Sequence, residues 1–211
     1  MADRLPDLFS YIVETDSGFC PNPFGGICTL ACCKPKIRYS ANIGDWIIGT
    51  SLAPKRGRLV YAMQVYRALT YDLYWKYPEY EVKKPNKENA RGDNIYKNKE
   101  NGGLIQVPNQ SHSDKHFERD TSVNRVLISN VFYYFGKDAP EIPDQYKSII
   151  HTTKGHVRIK PTSKNSMAVS VFLVWLRDTF KQGINGEPAQ ANVKCKPHVA
   201  ATAPVQRKFD F

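Results

Sequence analysis

The sequence predicts an α+β domain: a mixed, strongly curved sheet, or a small β-barrel, with a long C-terminal helix packed on it. Three observations carry that class. Short runs rich in β-branched and aromatic residues recur along the chain as far as Phe135, bounded by glycine, proline and polar clusters. Residues 163–182 place Val169, Phe172, Leu173, Leu176 and Phe180 at helical spacing, with Gly183 to stop the helix. The apolar fraction of 41%, with twelve Tyr, ten Phe and three Trp, suffices for a sizeable core.

The elements follow in order. Residues 8–15 (LFSYIVET) read as a first strand, and 21–26 as a proline-glycine loop. Residues 27–33 form a short apolar run, strand or helical turn, which periodicity does not decide. Gly44-Asp45 opens a strand over 46–50, and after a hairpin loop over 51–57 a second strong strand covers 58–69. Thr70 caps a short helix that Pro78 ends. Residues 81–103 are polar and too long for a simple turn, with Ile95 and Tyr96 as anchors. After another polar segment, 109–124, a third strong strand covers 126–135. A short helix over 144–150 and a last strand over 156–160 precede the long helix. These elements make one domain over 1–186. An Ala-, Pro- and Lys-rich tail over 187–211 is expected to be partly disordered.

The formal net charge is +10, which favours polyanionic partners. The excess is concentrated in two segments. One holds Lys34, Lys36, Arg38, Lys55, Arg56 and Arg58 against Asp45; the other, 145–177, is basic without an acid. No apolar run is long enough to span a membrane, and acidic residues near the start argue against an export signal, so a cytoplasmic location is expected. Five cysteines without an export signal read as reduced thiols. The spacing of Cys20, Cys28, Cys32 and Cys33 contains no C-x-x-C pair, so packing is favoured over metal binding or a nucleophilic role.

Several clusters are candidates for chemistry. In the Asn22–Gly26 turn, Asn22, Phe24, Gly25 and Gly26 offer backbone that can approach a phosphate, with Lys34, Lys36 and Arg38 just downstream. It is not a nucleotide-binding G-K-[ST] loop. Trp46 is placed to stack on a base, or else to fill the core. Asp93 and Asn94 can hydrogen-bond a base edge or ribose, and Tyr96 can stack. His112 is a candidate general base; with His116 at i, i+4 it would also suit a metal, although no third ligand is fixed. Lys154 and His156 flank Gly155, a pattern suited to phosphate. No Ser-His-Asp order, dinucleotide fingerprint or zinc-deaminase signature is present, which argues against the common deaminase and nucleotide-hydrolase chemistries and leaves any cofactor unknown.

The blocks SGFCPNPFGGICTLACCKPKIR, GDWIIGT, GRLVYAMQV, GDNIY and VLISNVFYYFG resemble the nucleotide modification associated domains, in particular the second domain type of that name. The resemblance runs from Tyr11 to Gly136 and on to Gly155-His156, with the segment after Gln182 outside it. It implies a place in base-modification or phage-conflict systems of bacteria and phages. It implies no reaction. A weaker similarity, resting on Gly44-Asp45-Trp46 and residues 57–65, is to the PUA, EVE and ASCH-type barrels, which implies a base-binding cleft. Two functions are therefore expected. One is a nucleotide or nucleic-acid binding module, DNA favoured, with a base among the 22–26 loop, Trp46 and the 93–96 loop. The other is an enzyme acting on a nucleotide or DNA base, with Asp93, His112 and Cys28 or Cys32 as reactive groups.

Overall fold

The computed structural model describes residues 5–54 and 56–190. It is α+β, built on a mixed six-stranded sheet. The strands are β1 (Leu8–Val13), β3 (Trp46–Ser51), β4 (Leu59–Gln64), β9 (Val131–Tyr134), β10 (His156–Ile159) and β11 (Gly183–Ile184), in the order β10-β1-β3-β4-β9-β11. The β1–β3 and β9–β11 pairs are parallel and the others antiparallel. A second sheet has the order β2-β8-β5, with β2 Cys28–Leu30, β5 Arg67–Leu69 and β8 Val126–Ser129. A small hairpin pairs β6 (Tyr96–Asn98) with β7 (Leu104–Gln106).

Two of the predicted strands are each two strands. Residues 58–69 divide into β4 and β5, and 126–135 into β8 and β9. Both leave the main sheet at the same level and pair again in the second sheet. At the bend the Val65 amide donates to Asp45 O at 2.8 Å, and the Tyr66 amide to Ile128 O at 2.8 Å. The Ser129 hydroxyl donates to Val131 O at 2.8 Å. Apolar periodicity is continuous through both bends, which is why the sequence reads each as one strand. The expected barrel is corrected here: β10 and β11 are open edges of the main sheet among the described residues, so it does not close.

The long helix is α4, Ser166–Thr179, shorter at both ends than its sequence pattern. Val169, Phe172, Leu173 and Leu176 enter the main core, and Gly183 adopts φ 103° beyond it. A second cluster, around Phe19, Cys32, Tyr71, Tyr74, Ile95 and Tyr96, lies under the second sheet and α2 (Tyr71–Lys76). Thr70 caps α2 as predicted, its hydroxyl accepting from the Leu73 amide at 3.3 Å. The expected short helix over 144–150 is a 3-10 helix, Asp144–Ile149, with Pro143 rather than Asp144 at its N-cap. Residues 187–190, placed in the tail by composition, are held: Gln190 N and Ala189 N donate to Asp16 O and Oδ2 at 2.9 and 3.0 Å. The rest of the expected tail lies outside the described residues.

Candidate active site

An open cavity of about 730 Å3 lies beside the end of β1 and the start of β10. Its wall includes the end of β1, the turn from Cys33 to Ile37, the loop from Gln110 to His116, and Lys154–His156. Among the described residues, this turn holds the two non-glycine residues with positive φ. After β2, Cys33 and Lys34 adopt φ 56° and 40°, left-handed conformations that cost a non-glycine residue about 1–2 kcal/mol each. Pro35 then starts α1 (Pro35–Ser40), where its fixed φ and missing N–H are tolerated. The strand, the sharp turn and the helix present the Cys33 thiol at the cavity wall.

Opposite it is His112, whose Nε2 lies 3.5 Å from Cys33 Sγ. Its backbone is fixed by Asn109 Oδ1, which accepts from His112 N at 2.7 Å, and by Gln106 Nε2, which donates to His112 O at 2.7 Å. The ring packs between Phe19 and His116, at centroid separations of 4.8 and 4.4 Å. Its other nitrogen, Nδ1, donates to Asp120 Oδ2 at 2.8 Å. Asp120, on α3 (Phe117–Thr121), is fully buried. It also accepts from Tyr96 Oη at 3.0 Å, Arg119 Nε at 3.0 Å and the Cys33 amide at 2.9 Å. Cys33, His112 and Asp120 thus form a relay in which the carboxylate orients the imidazole and also pins the backbone of the thiol.

The charges follow from this packing. The neighbouring Cys20 first, then His112, outweigh the cost of burial on Cys33 and bring its thiol down to about 5, while the Cys20 thiol proton is itself directed at Cys32 O at 2.8 Å. Arg119 Nη2 also donates to Cys33 Sγ at 3.4 Å. Burial works against a charged His112, yet the bonds to Asp120 and Cys33 prevail and raise it to about 9. Burial likewise opposes the Asp120 charge, but His112 and Arg119 hold it at about 2. Near neutral pH the pair is thiolate and imidazolium. By contrast, burial pushes the Cys28 thiol up to about 12 and Cys32 well above its ordinary range.

Cys32, His112 and Asp120 also bring possible metal-ligand atoms within 4.8 Å of one another. The donors are already committed. Asp120 accepts through both oxygens, His112 Nδ1 is bonded to it, and the Cys32 thiol is directed at Asp93 O at 3.6 Å. His116 Nδ1 is occupied by Ser113.

Of the residues singled out from sequence, Lys34, Lys36, His112, Lys154 and His156 line the cavity. Others do not. Asp93 is sealed under the second sheet, accepting from Thr29 Oγ1 at 2.6 Å and Tyr74 Oη at 2.9 Å, with burial raising its carboxyl. Asn94 is buried and donates to Tyr74 O at 2.8 Å. Tyr96 is buried beneath Asp120 and supports the relay instead of stacking on a ligand. Trp46 is a core residue with no exposed surface, and Asp45 forms the turn before it. Arg38 is also fully buried; its guanidinium donates to Cys33 O, Asp120 O, Val123 O and Arg125 O at 2.5–2.8 Å. It clamps the thiol turn to the acid's helix. The Asn22 side chain accepts from Lys83 Nζ at 2.9 Å and donates to Arg91 O at 2.7 Å. Phe24 packs under the Arg91 guanidinium, and Gly25 and Gly26 adopt φ 74° and 81° in the turn. That loop supports a cavity residue, Arg91, without lining the cavity itself.

Cys33 and Asp120 are the functional candidates that sequence reasoning missed. The available signal was a cysteine between an apolar run and Lys34-Pro35, a helix start.

A family model described as nucleotide modification associated domain 2 matches residues 5–196. The chain belongs to that family. The match continues well past Gln182, so the family's domain includes α4's exit, β11 and the docked 187–190 segment as well as the blocks that carry the resemblance. In this nucleotide modification associated domain the relay and the cavity both fall inside the matched residues. No curated protein and no solved structure matches the chain. Among the described residues no helix is long and apolar enough to cross a membrane.

Proposed function

We propose that the chain is a cysteine-dependent enzyme of a nucleotide-modification system, acting on an acyl substituent of a nucleotide or nucleic-acid base, DNA first among the candidates. One observation carries this reading: a Cys33 thiol 3.5 Å from an imidazole that Asp120 orients from behind, at the wall of a large cavity. Cys33 Sγ attacks the acyl carbon and forms a C–S bond. The bond to the leaving amine or hydroxyl breaks, and that group departs with the proton of His112. Neutral His112 then takes a proton from water or an acceptor amine as it attacks the thioester. The thiolate leaves with its electron pair, and the ion pair is restored.

Binding without chemistry is the second reading. It draws on the positive lining: Lys34, Lys36, Arg91, Arg119 and Lys154 face the cavity against Glu14. A modified base would then be recognised in the cleft with basic residues on its phosphates. Incubating wild type and Cys33→Ser with modified and unmodified nucleotides and oligonucleotides, followed by mass spectrometry, separates the readings. The enzyme reading expects a product, or a covalent adduct on Cys33, that the variant does not form. Tight binding by both proteins with neither outcome favours recognition alone.

A further inference from the structure

We propose that the cavity carries a dedicated phosphate subsite, formed by Lys34, Lys36, Lys154 and His156 beside the Cys33 thiol, so that the substrate is a phosphorylated nucleotide rather than a free base or nucleoside. The inference rests on the reading of Cys33 as the reactive group, but the subsite itself is argued from different residues.

Strand register brings the groups together. β10 pairs antiparallel with β1 so that His156 stands opposite Tyr11. The ring of Tyr11 lies under the Lys34 ammonium, 4.4 Å from its centroid. Lys34 follows Cys33 directly, so one turn supplies both the nucleophile and this cation. Lys36 stands on the first turn of α1, and the loop bearing Lys154 turns back at Gly155, with φ 105°. The His151 ring closes that loop, its Nε2 lying 3.4 Å from Lys154 O and 3.3 Å from Thr153 Oγ1.

The cluster is crowded with like charge. Burial first, then His151, Lys36 and Lys34, push His156 below its ordinary range. Two consecutive left-handed residues are held in the turn that creates this crowding. A dianionic phosphate relieves it, because lysine ammoniums donate charge-assisted hydrogen bonds to phosphate oxygens and the neutral His156 ring can add an N–H. Lys36 and Lys154 are exposed and form none of the ion pairs found among the described residues, which leaves their ammoniums available for such an anion.

The test is calorimetric titration with the common deoxynucleosides, their 5′-monophosphates, inorganic pyrophosphate and short single-stranded oligonucleotides. It uses wild type, Lys36→Ala/Lys154→Ala and Cys33→Ser. The expected result is that a monophosphate or an oligonucleotide binds at least about tenfold more tightly than the matching nucleoside, as charge-assisted hydrogen bonds require. Pyrophosphate competes, and the double lysine variant loses that preference. A stronger monophosphate identifies a free nucleotide as the phosphate source; a stronger oligonucleotide identifies a strand. Both exposed lysines can be removed without disturbing the core, and thermal unfolding of the variant verifies this. Cys33→Ser removes the negative charge of the thiolate and should keep or strengthen the phosphate preference while abolishing adduct formation, so loss of the thiol chemistry and loss of the subsite are read separately. Equal affinity for nucleoside and monophosphate, or an unchanged phosphate preference in the lysine variant, overturns the proposal.

Discussion

The reactivity of Cys33 is a property of the groups that touch it. Its thiolate is favoured by the neighbouring Cys20 and by His112 and Arg119, the last two through contacts with the sulfur at 3.5 and 3.4 Å. Cys20→Ala removes one of these, so the Cys33 thiol should titrate closer to the ordinary cysteine range. Ultraviolet absorbance of the thiolate against pH measures the shift; an unchanged midpoint contradicts the assignment. Asp120→Asn keeps the size of the group but withdraws its charge from His112. The imidazolium then loses its proton at lower pH, and product formation should fall by about 10²-fold or more, the usual weight of general acid–base catalysis. The sign of the wild-type pH dependence follows from the two groups. Activity rises as Cys33 loses its proton near 5 and falls as His112 loses its own near 9. At this scale little was legible in sequence. His112 stood out because imidazole titrates near neutrality. Cys33 was hidden among neighbouring cysteines that are buried and packed, and Asp120 lies in a polar stretch with no periodicity. Which of several adjacent thiols meets a histidine 79 residues away is fixed by tertiary packing alone.

At the scale of elements, the turn between β2 and α1 holds strain next to function. Lys34→Asn places a residue that tolerates φ near 40° at that position. The relief, about 1–2 kcal/mol, is offset by loss of a half-buried ammonium over the buried Tyr11 ring, about 1–2 kcal/mol. Thermal unfolding should therefore show little net change in stability, while phosphate binding weakens. A clear loss of stability refutes that account of the turn. Arg38 acts in the opposite sense. Removing its guanidinium leaves buried carbonyls of Cys33, Val123, Arg125 and Asp120 without a donor, at about 1–3 kcal/mol for each group not reached by water. Arg38→Met should lower the unfolding free energy in denaturant by at least about 3 kcal/mol. If Arg38 instead touches ligand, stability should hold and binding alone should suffer. The sequence reading assigned Arg38 to phosphate because a basic run looks the same whether it faces water or a ring of carbonyls. Elements with strong local signals, such as α2 with its Thr70 cap and the apolar face of α4, were legible. The bends dividing β4 from β5 and β8 from β9 were not, because both halves of each strand are apolar.

For the whole molecule, the α+β class and the mixed sheet follow from patterning, whereas closure into a barrel depends on strand order, which patterning does not contain. The end of β1, in the main sheet, and the Cys33 turn, which follows β2 of the second, line the same cavity. The net charge of +10 is compatible with either a nucleotide or a strand as ligand. Salt dependence separates them: a single nucleotide should release about one or two counterions, and a strand several, with log affinity falling correspondingly more steeply against log salt.

The most direct test of the account is alkylation by iodoacetamide at graded pH, with labelled cysteines mapped by mass spectrometry. Cys33 should be labelled first among Cys20, Cys28, Cys32 and Cys33, already at about pH 6, as a thiolate of depressed pKa requires. His112→Ala should move that onset upward. Labelling of Cys33 that begins only in the ordinary alkaline range of a free cysteine, and that ignores the His112 substitution, contradicts the central claim.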